Sequence, residues 1–279
     1  MLTRKLTRRI TQSITRPITQ AGAGGQSLDY AIRALFANGE QGAWYDPSDL
    51  STMFQDSAGT TPVTAVGQSV GRILDKSGRG NHATQATAAS RPVLQQDGNG
   101  KYYLAFDGVN DFLSTGSVDF TGTDKMTVVA GVRSNANGYS NILELGTDAA
   151  SSNGFAFQRG FSANGDYAGL LYGTSLGYGH TTNYVAPDTS VVTVGYNLAL
   201  ASVSAGEITF RRNGSVAAMA VNTGNAGTGN FASNPLYIGT RAGTSFPYNG
   251  NLYQLVVRGA ATADLVPVET FVNSKTGAY

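Results

Sequence analysis

"EITFRRNGSVAAMAV", residues 207–221, is the stretch whose reading decides the fold. Ile208 and Phe210 alternate with Thr209 and Arg211, the period of two that sends successive side chains to opposite faces of a strand. Asn213-Gly214 then supplies the residue pair suited to two consecutive positive-φ positions, those of a type I′ turn, whose twist matches that of paired strands. A second aliphatic run follows at once. The stretch reads as an antiparallel hairpin.

The same grammar recurs on either side. Short apolar runs include "YYLAF" (102–106), "MTVVAGV" (126–132), "NILEL" (141–145), "GFAFQR" (154–159), "AGLLYG" (168–173), "VVTVGY" (191–196), "PLYIG" (235–239) and "NLYQLVVR" (251–258). Asn-Gly pairs recur at 137, 153, 164 and 249. About ten strands with turns at short spacing predict an all-β, antiparallel sandwich or barrel. Alternation places Leu104, Phe106, Val128, Leu145, Phe210, Ile238, Leu252 and Val256 on inward faces. Trp44, the only tryptophan, is expected to plug one end of the core.

Helical periodicity is confined to two short segments. In "SLDYAIRALFANG" (27–39), Ser27 is a candidate N-cap, Leu28, Ile32, Leu35 and Phe36 share a face, and Asn38-Gly39 ends the helix. "TADLVPVETFVNSKTG" (262–277) predicts a closing helix, with Pro267 in its first turn and Gly277 beyond its end.

Composition agrees. Charged residues are 13% of the 279, with 36 glycines and 41% apolar residues, which excludes a disordered chain. The net charge of +1 gives no global field for nucleic acid, so that partner is not expected. There is no cysteine, hence no disulfide framework and no thiolate metal site. No apolar run is long enough for a membrane span, and the basic N-terminus lacks the apolar region of a signal peptide.

That N-terminus, "LTRKLTRRITQSITRPITQ" (2–20), repeats every four residues: an aliphatic residue, Thr, then Arg or Gln. Leu2, Leu6, Ile10, Ile14 and Ile18 form the aliphatic series, and Arg4, Arg8 and Arg16 the cationic one. Nineteen residues detached by "AGAGG" (21–25) have no means of burying their own aliphatic side chains. A docking arm that orders on another protein, or on copies of itself, is favoured over a disordered basic tail.

Four segments carry a family resemblance. Residues 43–94, beginning "AWYDPSDLSTMF", resemble a leading segment of phage and prophage virion proteins. "YLAFDGVNDFL" (103–113), "ITFRRNGSVA" (208–217) and "LYIGTRAGTSFPYNGNLYQLVVRG" (236–259) resemble strands of laminin-G-like, concanavalin A-like jelly rolls. The resemblance implies a two-sheet antiparallel jelly-roll sandwich over 43–279, preceded by an arm and glycine hinge (1–25) and a short linker helix (26–42). It further implies a virion location after synthesis in a host cytoplasm. The function expected is that of a non-enzymatic tail fibre or tail-associated adhesin for host-surface glycans, assembled with other virion proteins and with its own copies. A capsid decoration or head fibre protein and a polysaccharide-degrading enzyme are the alternatives.

Candidate site residues follow from chemistry. Sugars are held by aromatic faces with amide and hydroxyl donors, and Tyr139, Tyr172, Tyr178, Tyr184 and Tyr248 lie in or beside glycine-rich loops, with His180 inside "YGHTTNY". Asp107, Asn110 and Asp111 put three oxygen ligands on one turn, a candidate calcium site of the kind related jelly rolls use; no other metal or cofactor is expected. Catalysis by a retaining glycosidase needs two carboxylates about 5 Å apart. Glu144 and Asp148 have the spacing, but Gly146 turns the chain between them, and Glu207 stands alone on its strand. His82 and His180, the only histidines, adjoin no nucleophile elbow.

Overall fold

The structure, a computed structural model, describes residues 29–146, 153–160, 165–172, 176–181, 184–200, 207–223 and 229–279. The N-terminal arm and Asp148 lie outside the described residues, as do Ser27 and Leu28. In chain order come α1 (Tyr30–Ala34), β1 (Gly42–Tyr45), β2 (Met53–Phe54), β3 (Arg72–Ile73), β4 (Ala83–Thr84), β5 (Val93–Gln96), β6 (Tyr102–Asp107), β7 (Leu113–Asp119), β8 (Lys125–Ser134) and β9 (Ser140–Leu145). They continue with β10 (Gly154–Arg159), β11 (Tyr167–Tyr172), β12 (Leu176–Thr181), β13 (Asp188–Asn197), β14 (Ile208–Arg212), β15 (Ser215–Val216), β16 (Met219–Thr223), β17 (Ser233–Ile238), β18 (Asn249–Arg258) and α2 (Val266–Thr276).

These strands build two antiparallel sheets, a jelly-roll sandwich. The first has the order β15-β14-β13-β8-β18-β6-β5, with β1 also on β18; the second runs β16-β12-β11-β10-β9-β17-β7-β4-β3-β2. The core between them takes Leu104, Phe106, Val128, Leu145, Phe210, Ile238 and Leu252 as alternation requires. Val256 is also buried, but on the opposite face of β18.

That opposite face carries a second core. Ile32, Leu35 and Phe36 from the α1 region and Val268, Phe271 and Val272 of α2 pack on Val129, Val191 and Val256. This explains why "MTVVAGV" shows no polar alternation: β8 is covered on both sides. Trp44 belongs here rather than at an end of the core. Its neighbours Ala43 and Tyr45 on β1 face the sandwich, so the pleat turns the indole towards the helices, edge-on to Phe271 at 5.8 Å. Gly131 allows α2 to settle: a Cβ there would run into the Thr276 hydroxyl oxygen and lie 3.2 Å from Val272. Pro267 stands in the first turn of α2, and Gly277, at φ 67°, closes it.

The quoted hairpin forms, and then divides. Asn213 and Gly214 adopt φ of 50° and 78°, and Arg212 pairs with Ser215 across them. After Val216 the chain leaves the first sheet, and β16 pairs with β12 in the second. Among the described residues, the other Asn-Gly pairs do not make this turn: Asn249-Gly250 opens β18, and only Asn153 of Asn153-Gly154 has a positive φ.

Candidate functional site on the outer face of the second sheet

Strands β9 to β12 place one set of side chains outside the sandwich. On β10, Phe155 and Phe157 enter the core while Ala156 and Gln158 face out; on β11, Tyr167 and Leu171 enter while Ala168, Leu170 and Tyr172 face out. A bulge in β9 shifts the register between Phe157 and Gln158, so Ile142 and Leu143 both point inward. Such a bulge re-aims side chains, and here Asn141 meets Glu144 on the outer face: its Nδ2 donates to Glu144 Oε2 at 3.3 Å. Gln158 donates in turn to Asn141 Oδ1.

The loop between β17 and β18 completes the face. Arg241 and Ser245 bridge, with the Arg241 N–H donating to the Ser245 carbonyl at 2.7 Å. Ala242 and Phe246 take positive φ of 51° and 53°, uncommon for residues with side chains and for phenylalanine in particular. The loop projects Arg241 over Glu144, with Nε to Oε1 at 3.2 Å, and Nη2 donates to the Tyr172 hydroxyl at 2.7 Å. The Phe246 ring lies 4.8 Å from the guanidinium carbon and 6.1 Å from the Tyr139 ring. Together Tyr139, Gln158, Leu170, Tyr172, Leu176, Arg241 and Phe246 line a cavity of about 200 Å³.

Electrostatics distinguish this floor from the rest of the sheet. Burial pushes the Glu144 carboxyl up to about 7, against the pull of Arg241 and the hydrogen bonds it receives. The Tyr172 phenol is raised by burial and by the neighbouring Glu144. Tyr139 is 53% exposed and Leu176 50%, so the rim is open. A wider groove of about 610 Å³ runs between α1 and α2, but its one guanidinium, Arg258, is already held by Glu40 at 2.7 Å and by the Leu35 carbonyl.

The candidate sugar contacts separate into three places. Tyr139 joins the cavity, and Tyr178 packs beside Leu170 and Tyr172 on the same face. His180, two residues along β12, shares that face, and its Nδ1 lies 2.5 Å from Asp166 Oδ2. Tyr184 instead sits at the edge of the sandwich core, with the Arg212 guanidinium 3.8 Å above its ring. Tyr248 is a core residue: it is buried against Phe106, and its hydroxyl donates to the Arg133 carbonyl at 3.0 Å. Sequence reading missed Arg241, Gln158, Leu170, Leu176 and Phe246; the signal available was the polar break "TRAGTSF" between two strands.

In the Asp107 turn, the oxygens serve the turn itself. Asp107 Oδ1 accepts the N–H groups of Val109 at 2.7 Å and Asn110 at 3.2 Å, and Asp111 Oδ2 accepts that of Asp107 at 3.1 Å. Burial, and then the charge of Asp107, raises the Asp111 carboxyl to about 6. In the loop at 75–85, Asp75 accepts the Trp44 and Ser77 N–H groups at 2.9 and 2.8 Å, and His82 Nδ1 accepts the Asp75 N–H at 3.0 Å.

No family model and no curated protein sequence matches the chain. Solved structures do. A sialidase of Trypanosoma rangeli aligns with a TM-score of 0.52 at 13% identity over 85% of this chain and 33% of its own. Botulinum neurotoxin type C aligns at 0.52 and 11% identity over 85% of this chain and 52% of its own, and the binding domain of serotype D/C at 0.51 and 12%, over 84% and 52%. The chain thus spans about a third of the sialidase and about half of the toxin chains. At such identities the likeness is one of fold, an antiparallel two-sheet jelly-roll sandwich.

Proposed function

We propose that this chain is a non-catalytic, glycan-binding protein of a phage particle, tail-associated and held to other virion proteins by its N-terminal arm. The observation that carries the binding reading is the cavity lined by Tyr139, Tyr172, Leu176 and Phe246 together with Arg241 and Gln158. Aromatic rings beside fixed polar groups suit a sugar ring, which is apolar on its faces and hydrogen-bonding at its edges. The structurally similar botulinum neurotoxin type C, whose cell entry depends on two ganglioside molecules, supports the same reading. The particle assignment rests on the resemblance of residues 43–94 and on the repeat in the arm.

An enzyme is the second reading, favoured by Glu144: a carboxyl raised to about 7 beside a tyrosine is suited to proton donation. Against it, Glu144 is completely buried behind Arg241, and no carboxylate lines this cavity among the described residues.

The test is a glycan array probed with the full chain and with Tyr139→Ala, a variant of an exposed ring, together with labelling of the protein in intact particles. Binding lost in the variant supports the site. Retention by the variant moves the site elsewhere, and labelling of the head rather than the tail would assign a capsid fibre.

A further inference from the structure

We propose that Arg241 is the recognition element of this cavity and that the glycan it selects carries an anionic group, a carboxylate or a sulfate. The inference rests on the glycan-binding reading and narrows it.

The guanidinium is held from three directions. Nε is fixed on Glu144 Oε1, Nη2 on the Tyr172 hydroxyl, and one face lies on the Phe246 ring. No acceptor among the described residues engages Nη1, and the side chain, 16% exposed, lines the cavity. A pre-oriented donor with a free edge loses little freedom when a ligand arrives. A guanidinium has five N–H donors and no acceptor, so the group it meets must accept, and an anionic oxygen makes the stronger, charge-assisted bond.

The rest of the lining points the same way. Apart from Arg241, the side chains around the cavity offer one amide, on Gln158, and the Tyr139 and Tyr172 hydroxyls. A neutral sugar, with a hydroxyl on nearly every carbon, would leave much of its edge unmatched, and each buried unmatched group is costly. The partner carboxylate does not cancel the cation fully. Glu144 is completely buried, which disfavours its ionised form, and its raised pKa near 7 is the consequence. Phe246 at φ 53° keeps its ring beneath the guanidinium at some conformational cost, which marks the loop as shaped for a task.

The experiment compares matched ligands on the intact chain by titration calorimetry: a hexuronate-containing tetrasaccharide with its carboxyl-reduced form, and a sulfated disaccharide with its desulfated form. The expected result is that at least one anionic member binds about tenfold or more tightly than its neutral twin, and that added salt erodes this difference. Arg241→Gln should bring the anionic ligand down to the neutral level, while Arg241→Lys should retain part of the preference. Tyr139→Ala should weaken both members of a pair alike. If Arg241→Gln does not fold, the salt dependence of the unaltered protein decides. Equal affinity for both members, insensitive to salt, overturns the role of Arg241 and leaves the glycan reading standing. Absence of binding to any sugar, on these pairs and on the array, overturns both.

Discussion

The indole N–H of Trp44 donates to Oε1 of Gln254 at 3.0 Å, a bond between residues 210 positions apart that fastens β1 to β18 beneath the helices. The Gln254 amide donates onward to Asp46, whose other carboxylate oxygen takes the Lys76 ammonium at 3.1 Å. That ammonium also lies 4.7 Å from the centre of the Trp44 ring. The one tryptophan thus sits in a closed polar circuit on its nitrogen side and in an apolar cluster elsewhere.

From this circuit, Gln254→Leu is expected to cost about 1–3 kcal/mol, because it leaves the indole N–H buried without an acceptor. Trp44→Phe should cost a similar amount for the converse reason, and Trp44→Ala about 3–5 kcal/mol through the cavity it opens. The double variant Trp44→Phe/Gln254→Leu should cost less than the two singles added, since neither orphan then remains. Urea unfolding followed by far-ultraviolet circular dichroism measures all four. Strict additivity would show that the bond contributes nothing to stability.

Gly131 gives a prediction of opposite kind, an addition. An Ala there would press its methyl on Thr276 and Val272 and lift the last turn of α2 from β8. Overpacking of this sort costs about 1–3 kcal/mol. Gly131→Ala should therefore lower the melting temperature, and combination with Thr276→Ala, which removes the hydroxyl that the new methyl meets, should recover part of the loss. A Gly131→Ala protein that melts like the parent would mean that α2 is not seated as described.

The sandwich was legible because its strands alternate: Leu104 and Phe106 on β6, Phe210 on β14 and Ile238 on β17 each have a single buried face. Trp44 and Val256 lie elsewhere than alternation and size predict, for two different reasons. "GAWY" is apolar on both sides because helices cover the outside, and period-two reading cannot choose a face when both are dry, whereas on β18 a bulge between Leu252 and Gln254 reverses the pleat and turns Val256 away from the face of Leu252. The cavity was illegible for another reason. Glu144 and Arg241 are 97 residues apart, and their meeting depends on a bulge in β9 and on a loop with two left-handed residues other than glycine, Ala242 and Phe246, neither feature having a composition signature. In the sequence Tyr248 reads as a loop ring because it stands beside Asn249-Gly250. Its hydroxyl finds the Arg133 carbonyl inside, and a tyrosine gives no sign in sequence of whether its polar tip is wet or satisfied.

Binding without turnover has its own prediction. The protein should release no reducing ends from host surface polysaccharide, measured by a reducing-sugar assay over hours at saturating protein. Release that disappeared with Glu144→Gln while glycan binding persisted would establish the enzyme reading and make Glu144 its acid.

The arm is tested by truncation. Removal of residues 1–22 is expected to leave the melting temperature within a degree or so of the parent, since "AGAGG" at 21–25 reads in the sequence as a flexible hinge between the arm and the rest of the chain. The truncated protein should fail to enter particles. Replacing Leu6, Ile10 and Ile14 with Ser should do nearly the same, because each buried aliphatic side chain is worth about 1.5–3 kcal/mol. Replacing Arg4, Arg8 and Arg16 with Gln should matter less, and mainly at low salt. Normal incorporation of the Ser variants with loss of the Gln ones would make the arm an electrostatic tether.

The dependence of stability on pH follows from the same buried carboxyl that shapes the cavity. Glu144 holds its proton up to about 7 in the folded chain, above the ordinary 4.5, because burial outweighs the charge of Arg241 and the hydrogen bonds from Arg241 and Tyr172. Asp111 holds its proton up to about 6, above 3.8, through burial and the charge of Asp107. Between the unfolded and folded values, the folded chain carries protons that the unfolded chain has lost. Stability therefore falls as pH rises through about 4 to 7, and levels off above. His82 acts in the other direction: burial and the nearby Arg72 lower it from 6.5, so its contribution fades as pH falls below that value. Glu144→Gln isolates the first effect, since the amide resembles the protonated acid and does not ionise. The variant and the parent should melt together below about pH 4, and the variant should melt several degrees higher at about pH 8. Thermal melts across that range decide the matter. A difference between the two proteins that does not change with pH would mean that Glu144 is ionised throughout, with Arg241 fully compensating its charge.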